Sequence, residues 1–151
     1  LDIVSNNKGI ESTNLSTDTD KLNISSNQIG IDATNAGLKT NTSTVISNNT
    51  KGVNSKNLGL KSEGIITITG NHVGAKGENV ASVKGKTVVI NSNSTGVKGE
   101  NVFLKGEKVV ISENTVGVKT NSMDAKANEF QMFDNVIGIK QEKVKKQKTK
   151  G

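Results

Sequence analysis

Val102-Phe103-Leu104-Lys105-Gly106, then Val109-Val110-Ile111-Ser112-Glu113-Asn114, then Val116-Gly117-Val118-Lys119, decides how this chain folds. Each piece sets two apolar side chains one residue apart, the signature of a short strand with one buried face. Seven or eight residues separate one apolar pair from the next, so three short strands fill about 22 residues. A helix would need apolar residues at spacings of three and four, and no segment before residue 140 sustains them.

The same circuit repeats in both directions. Glycine followed by a small aliphatic recurs at Gly9, Gly30, Gly52, Gly74, Gly96, Gly117 and Gly138, every 21 or 22 residues. Three residues before each glycine stands an asparagine: Asn6, Asn27, Asn49, Asn71, Asn93, Asn114 and Asn135. A second asparagine column follows five residues after the glycine, at Asn14, Asn35, Asn57, Asn79 and Asn101, shifting by one to Asn121. Eight and six residues before the glycine lie pairs such as Leu22/Ile24, Ile66/Ile68, Val88/Ile90 and Phe130/Met132. Six and eight residues after it come Leu58/Leu60, Val102/Leu104 and Met123/Ala125. A fixed period of this length signals a repeat architecture. The expected fold is all-β: a parallel β-helix, or β-solenoid, of about seven coils of 21–22 residues with three short strands per coil. Glycine and asparagine are expected at its corners, where they tolerate left-handed backbone angles. Equivalent asparagines, one strand spacing apart, can hydrogen-bond up the stack.

Composition fits a thin core of small branched side chains. Apolar residues make up 31% and aromatics 2%, and Trp, Tyr, Cys and Pro are absent. All 20 basic residues are lysine. Without cysteine there are neither disulfides nor thiolate metal sites. No run approaches the roughly 18 apolar residues of a membrane helix. The chain opens at Leu1, already strand-like, and reads as a mature product or a fragment whose first coil continues or meets a partner. Residues 1–140 form the repeat domain, and residues 141–151 a lysine-rich tail. From Lys140 to Lys150 there are six lysines and one glutamate, against 14 lysines and 13 acids in residues 1–139.

Ile111-Ser112-Glu113-Asn114-Thr115-Val116-Gly117-Val118, with its counterparts at residues 90–97 and 68–75, resembles the repeats of parallel β-helix proteins, a group that includes polysaccharide lyases, phage tailspikes and secreted adhesins. The seven-residue beat from Glu100 to Ile111 also resembles the needles of phage central spikes and type VI secretion spikes. In those needles three chains intertwine, so a homotrimer is implied. Their metal-binding tip uses paired histidines, whereas this chain has only His72. Because glycine and asparagine recur every third heptad, like stacking on like favours the single-chain solenoid.

Motifs for chemistry are sparse. Lys86-Thr87 follows Gly85 as in a phosphate-binding loop, but Val80 stands where that loop needs glycine. His72 reads as an exposed corner residue. Asp18 and Asp20 share a strand, Asp124 and Asp134 lie in other coils, and the Thr17/Thr19, Thr42/Thr44 and Thr67/Thr69 pairs occupy different coil positions. No catalytic, cofactor or metal residues are assigned, and the chain reads as a non-enzyme. Lys76, Lys98, Lys119 and Lys140 share one coil position and offer a cationic stripe. The expected role is a structural module of an extracellular, cell-surface or virion assembly, with protein partners or self-association at the coil ends. An adhesin or module binding an anionic glycan is the alternative, and a remnant of a polysaccharide-degrading enzyme the third. Specific nucleic-acid binding is not expected, because no aromatic platform accompanies the lysines.

Overall fold

A computed structural model describes residues 1–141, and residues 142–151, which hold most of the lysine-rich tail, lie outside it. The described residues form a single all-β stack of about seven coils in which every strand pairing is parallel. The strands are β1 (Asp2–Val4), β2 (Lys8–Ser25), β3 (Ile29–Ser47), β4 (Lys51–Ser62) and β5 (Ile65–Thr69), followed by β6 (Val73–Lys84), β7 (Thr87–Asn91), β8 (Thr95–Ser112), β9 (Val116–Phe133) and β10 (Ile137–Gln141). Each residue pairs with its counterpart one coil later, as Ile24 with Ile46, Ile46 with Ile68, and Ile68 with Ile90. Successive coils of the one chain stack on each other as a solenoid of about seven turns.

The three short strands per coil are visible inside the longer elements. β3 pairs with β4 over residues 29–40 and with β5 over residues 43–47. The chain breaks cleanly between those stretches at Ser62/Ile65 and Lys84/Thr87. In other coils the corner is gentle enough for strand geometry to run through it, with a register slip such as that at Thr19/Lys21.

Alternation sends one set of side chains inward. Ile24, Ile46, Ile68, Ile90 and Ile111 form one fully buried column, and Leu38, Leu60, Val83 and Leu104 another. Small residues complete the lumen, among them Ala33, Ala36, Ala75 and Ala81. Thr40 and Thr44, buried inside one corner, share a 2.9 Å hydrogen bond between their Oγ1 atoms, whereas Thr17 Oγ1, in the column of Leu38, is buried without a partner. At the last coils the inward pair Phe130/Met132 keeps 38% and 39% exposure. Among the described residues, only Ile137–Gln141 stacks beyond that level.

Two sequence expectations are corrected here. The glycine column is not in left-handed backbone; among the described residues Gly70 is the only glycine with positive φ. Gly30 lies in β3 because a Cβ there would meet the Gly52 carbonyl oxygen at 2.6 Å and come closer still to Ile24 Cγ2. Gly9, Gly52, Gly74, Gly96, Gly117 and Gly138 each face the equivalent branched or bulky side chain, from Ile3 to Met132. The left-handed corner is taken instead by the residue just before each ladder asparagine: Ser5, Ser26, Asn48, Gly70, Ser92, Glu113 and Asp134, with φ between 55° and 69°. The second asparagine column also needs revision. A slip between Gly77 and Val80 puts Val80, not Asn79, between Asn57 and Asn101. One coil on, Asn101 pairs with Ser122, not Asn121.

Candidate functional site

The first asparagine column is a buried hydrogen-bonded ladder. Asn49 donates from its backbone N–H and from Nδ2 to Asn71 Oδ1, both at 2.9 Å. Asn71 does the same to Asn93, and Asn93 to Asn114. From Asn27 onward each Nδ2 also reaches back to the carbonyl of the isoleucine one coil earlier, as Asn71 does to Ile46 at 2.9 Å. The left-handed residue before each asparagine turns its side chain under the corner, where it would otherwise point to solvent. Asn27, Asn49, Asn71, Asn93 and Asn114 are all at most 3% exposed. Asn6 and Asn135 close the ladder at its two ends. A buried amide with this many partners is worth keeping, because buried polar groups are costly only when unpaired.

The outward columns carry the charge. Lys76, Lys98, Lys119 and Lys140 stack in register, as their spacing suggested. Toward the start of the chain the same column continues as Asn54, Asp32 and Glu11. Lys8 bridges its acidic end, 3.2 Å from Glu11 and 3.3 Å from Asp32. The hydrogen bond to Glu11, and then that to Asp32, raises the Lys8 ammonium above its ordinary pKa. Asn54 donates to Asp32 at 3.2 Å. The stripe is therefore graded, from acid through amide to lysine.

A longer lysine column escaped the sequence reading. Lys39, Lys61, Lys84, Lys105 and Lys126 are stacked neighbours across five coils. All five are exposed. None of them makes an ion pair among the described residues. Four of these lysines stand nine residues after their glycine, but Lys84 stands ten after Gly74. The slip at Gly77/Val80 absorbs the extra residue, which is why no fixed spacing reveals the column.

On one side of this column lies a depression of about 880 Å³ holding Lys86, Glu63, Glu107 and Gly106. On the other side is a shallow trough whose two halves, of about 390 and 380 Å³, meet over Ser16, Gly37 and Gly59. Its far wall is the exposed part of the second asparagine column: Asn35 Nδ2 donates to Asn14 Oδ1 at 2.7 Å, and Asn57 Nδ2 to Asn35 Oδ1 at 2.8 Å.

His72 is exposed at its corner, its backbone tied to Asn49 and Thr95. Asp20 accepts a 2.6 Å hydrogen bond from Thr42 Oγ1, and Asp18 heads the long lysine column. Among the described residues, no three His, Cys, Asp or Glu side chains gather as metal ligands would. Nor is any helix long and apolar enough to cross a membrane. No family model, curated protein or solved structure matches the chain, so the solenoid stands on its own geometry.

Proposed function

We propose that the chain is a non-catalytic, rod-like module of an extracellular, cell-surface or virion assembly. The observation that carries this reading is the asparagine ladder, buried from Asn27 to Asn114, which runs without a gap from Asn6 to Asn135. Each coil is clamped to the next at the same corner by two hydrogen bonds to one oxygen, and the aliphatic columns continue at the same pitch. Stability in such a stack is approximately a sum of neighbour interfaces. Seven coils at ~4.8 Å give a stiff spacer roughly 30 Å long. A module of this kind holds neighbours at a fixed distance and presents its outward columns in fixed register.

Spin labels on Gln28→Cys and Thr115→Cys test the rod. Both sites are exposed, and the chain has no native cysteine. Four coils separate them, or roughly 19 Å between Cα atoms at the strand spacing. A narrow distance distribution centred near that value, allowing for the label arms, is the expected result. A broad one would remove the spacer role.

A further inference from the structure

Gly37 and Gly59 have no role in folding that the backbone explains. Neither has a positive φ, and a Cβ on either would meet nothing within 4 Å. Glycine inside a strand is unfavourable relative to alanine, yet the two stand side by side in the stack, in register and facing out. With Ser16 before them and Ser82 after, they make a floor of small residues over four coils, bare at the two glycines. Asn14, Asn35 and Asn57 line one edge, two residues away along each strand. Lys39, Lys61 and Lys84 line the other, with Asp18 at its head. Phe103 occupies the next floor position and stands 44% exposed, closing the trough.

We propose that this trough binds a linear acidic polysaccharide running along the stack, one sugar ring per coil. The floor admits flat rings because nothing larger than a serine hydroxymethyl rises from it. The amides offer donors and acceptors to hydroxyl groups. The lysines offer one ammonium per coil to ring-borne carboxylates, spaced by about 4.8 Å. A 1,4-linked pyranose chain advances by close to that distance per ring. Duplex DNA advances about 3.4 Å per phosphate along each strand and falls out of register within a few coils. Single strands are held largely by aromatic stacking, and the trough has one phenylalanine, at its end. The proposal needs the stacked fold but not the rod's place in any assembly, so failure of one leaves the other standing.

The test measures affinity of the full chain for alginate, hyaluronate, neutral dextran and oligothymidylate in low-salt buffer. Alginate carries a carboxylate on every ring and hyaluronate on every second ring, so alginate is expected to bind more tightly, and dextran not at all. The lysines of residues 143–150 attract any polyanion, so the decisive comparison is between variants that leave them untouched. Gly37→Thr/Gly59→Thr fills the floor, and Lys39→Gln/Lys61→Gln/Lys84→Gln empties the rail. Each is expected to lower alginate affinity at least about tenfold, the loss of two or more charge-assisted contacts. Oligothymidylate affinity should change far less. Absence of alginate binding, equal binding of hyaluronate, or alginate affinity that survives either variant overturns the proposal. A parallel loss for oligothymidylate overturns the polysaccharide assignment in favour of a general polyanion surface.

Discussion

Asn71→Ala removes a side chain that is 2% exposed and makes five hydrogen-bond contacts. Its Oδ1 accepts from the backbone N–H and the Nδ2 of Asn49, and its Nδ2 donates to Ile46, Thr69 and Asn93. Some of these partners keep a second bond. Asn93 Oδ1 still accepts from the Asn71 backbone, and the Thr69 carbonyl still accepts from Asn48. Asn49 Nδ2 keeps the Ile24 carbonyl at 2.9 Å, whereas the Asn49 backbone N–H loses its acceptor inside the stack. At about 1–3 kcal/mol for a buried donor left unpaired, the substitution should cost about 1–3 kcal/mol. Asn6→Ala is the internal control. Asn6 is exposed, and its amide only donates to Asn27 Oδ1, which keeps the Asn6 backbone N–H. That change should cost under about 1 kcal/mol. Urea unfolding followed by far-ultraviolet circular dichroism, with midpoints compared at a common m value, measures both. Equal losses for the two variants would refute the claim that burial of the ladder, more than its presence, stabilises the stack.

Other substitutions probe the two kinds of glycine. Gly74→Ala puts a methyl group against Ile68 and 2.5 Å from the Gly96 carbonyl oxygen; overpacking of this kind should cost about 1–3 kcal/mol by the same unfolding assay. Gly37→Thr and Gly59→Thr meet open space, and each should stabilise by about 0.5–1 kcal/mol, since a β-branched residue replaces glycine in a strand. Gly70→Ala forces a Cβ onto φ +69° and to 2.5 Å from Asn48 Oδ1, and a loss of about 1–2 kcal/mol is expected in the urea midpoint. Glu113→Gly relieves φ +55° at the equivalent corner and should shift the midpoint upward, by less than about 1 kcal/mol, because glycine's entropy offsets part of the relief.

The coil was legible in the sequence because its inward positions are tied to period. Ile24, Ile46, Ile68, Ile90 and Ile111 must coincide from coil to coil, and the asparagine ladder with them, so their spacing of 21 or 22 residues survives in the letters. The reason for the glycine column was not legible. A glycine beside an asparagine reads equally well as a flexible corner or as a close approach, and only the position of Ile24 Cγ2 against Gly30 separates the two. The lysine rail was hidden for a different reason. Its position is counted across a corner where Gly77, Glu78 and Asn79 take up an extra residue, so Lys84 leaves the fixed offset that Lys61 and Lys105 keep. The same slip made Asn79 look like a member of a column that Val80 occupies. The slip carries the buried pair Ala81/Val83 with it, seven and nine residues after Gly74 where Leu58/Leu60 stand six and eight after Gly52, so lumen and rail return to register together.

Inward and outward columns answer to different constraints. Inside the stack each side chain is fixed by volume and by hydrogen bonding, so its identity follows from folding. Outside, a strand neighbour about 4.8 Å away is the main constraint, and it argues against repeating one charge. Two ammonium groups at that separation repel by about 1 kcal/mol in water before splaying and salt reduce it. Like charges set directly opposite are destabilising in any sheet. The column from Glu11 and Asp32 through Asn54 to Lys76 sets two acids opposite each other in its first coils, but Lys8 bridges them. The column from Lys39 to Lys126 has no such bridge: five lysines follow one another, exposed and without an ion pair among the described residues. Beside them run two glycines that lower strand stability and leave a bare floor. Two independent departures from what the fold prefers, in adjacent columns and over the same coils, place the surface most in need of a function on this face of the solenoid.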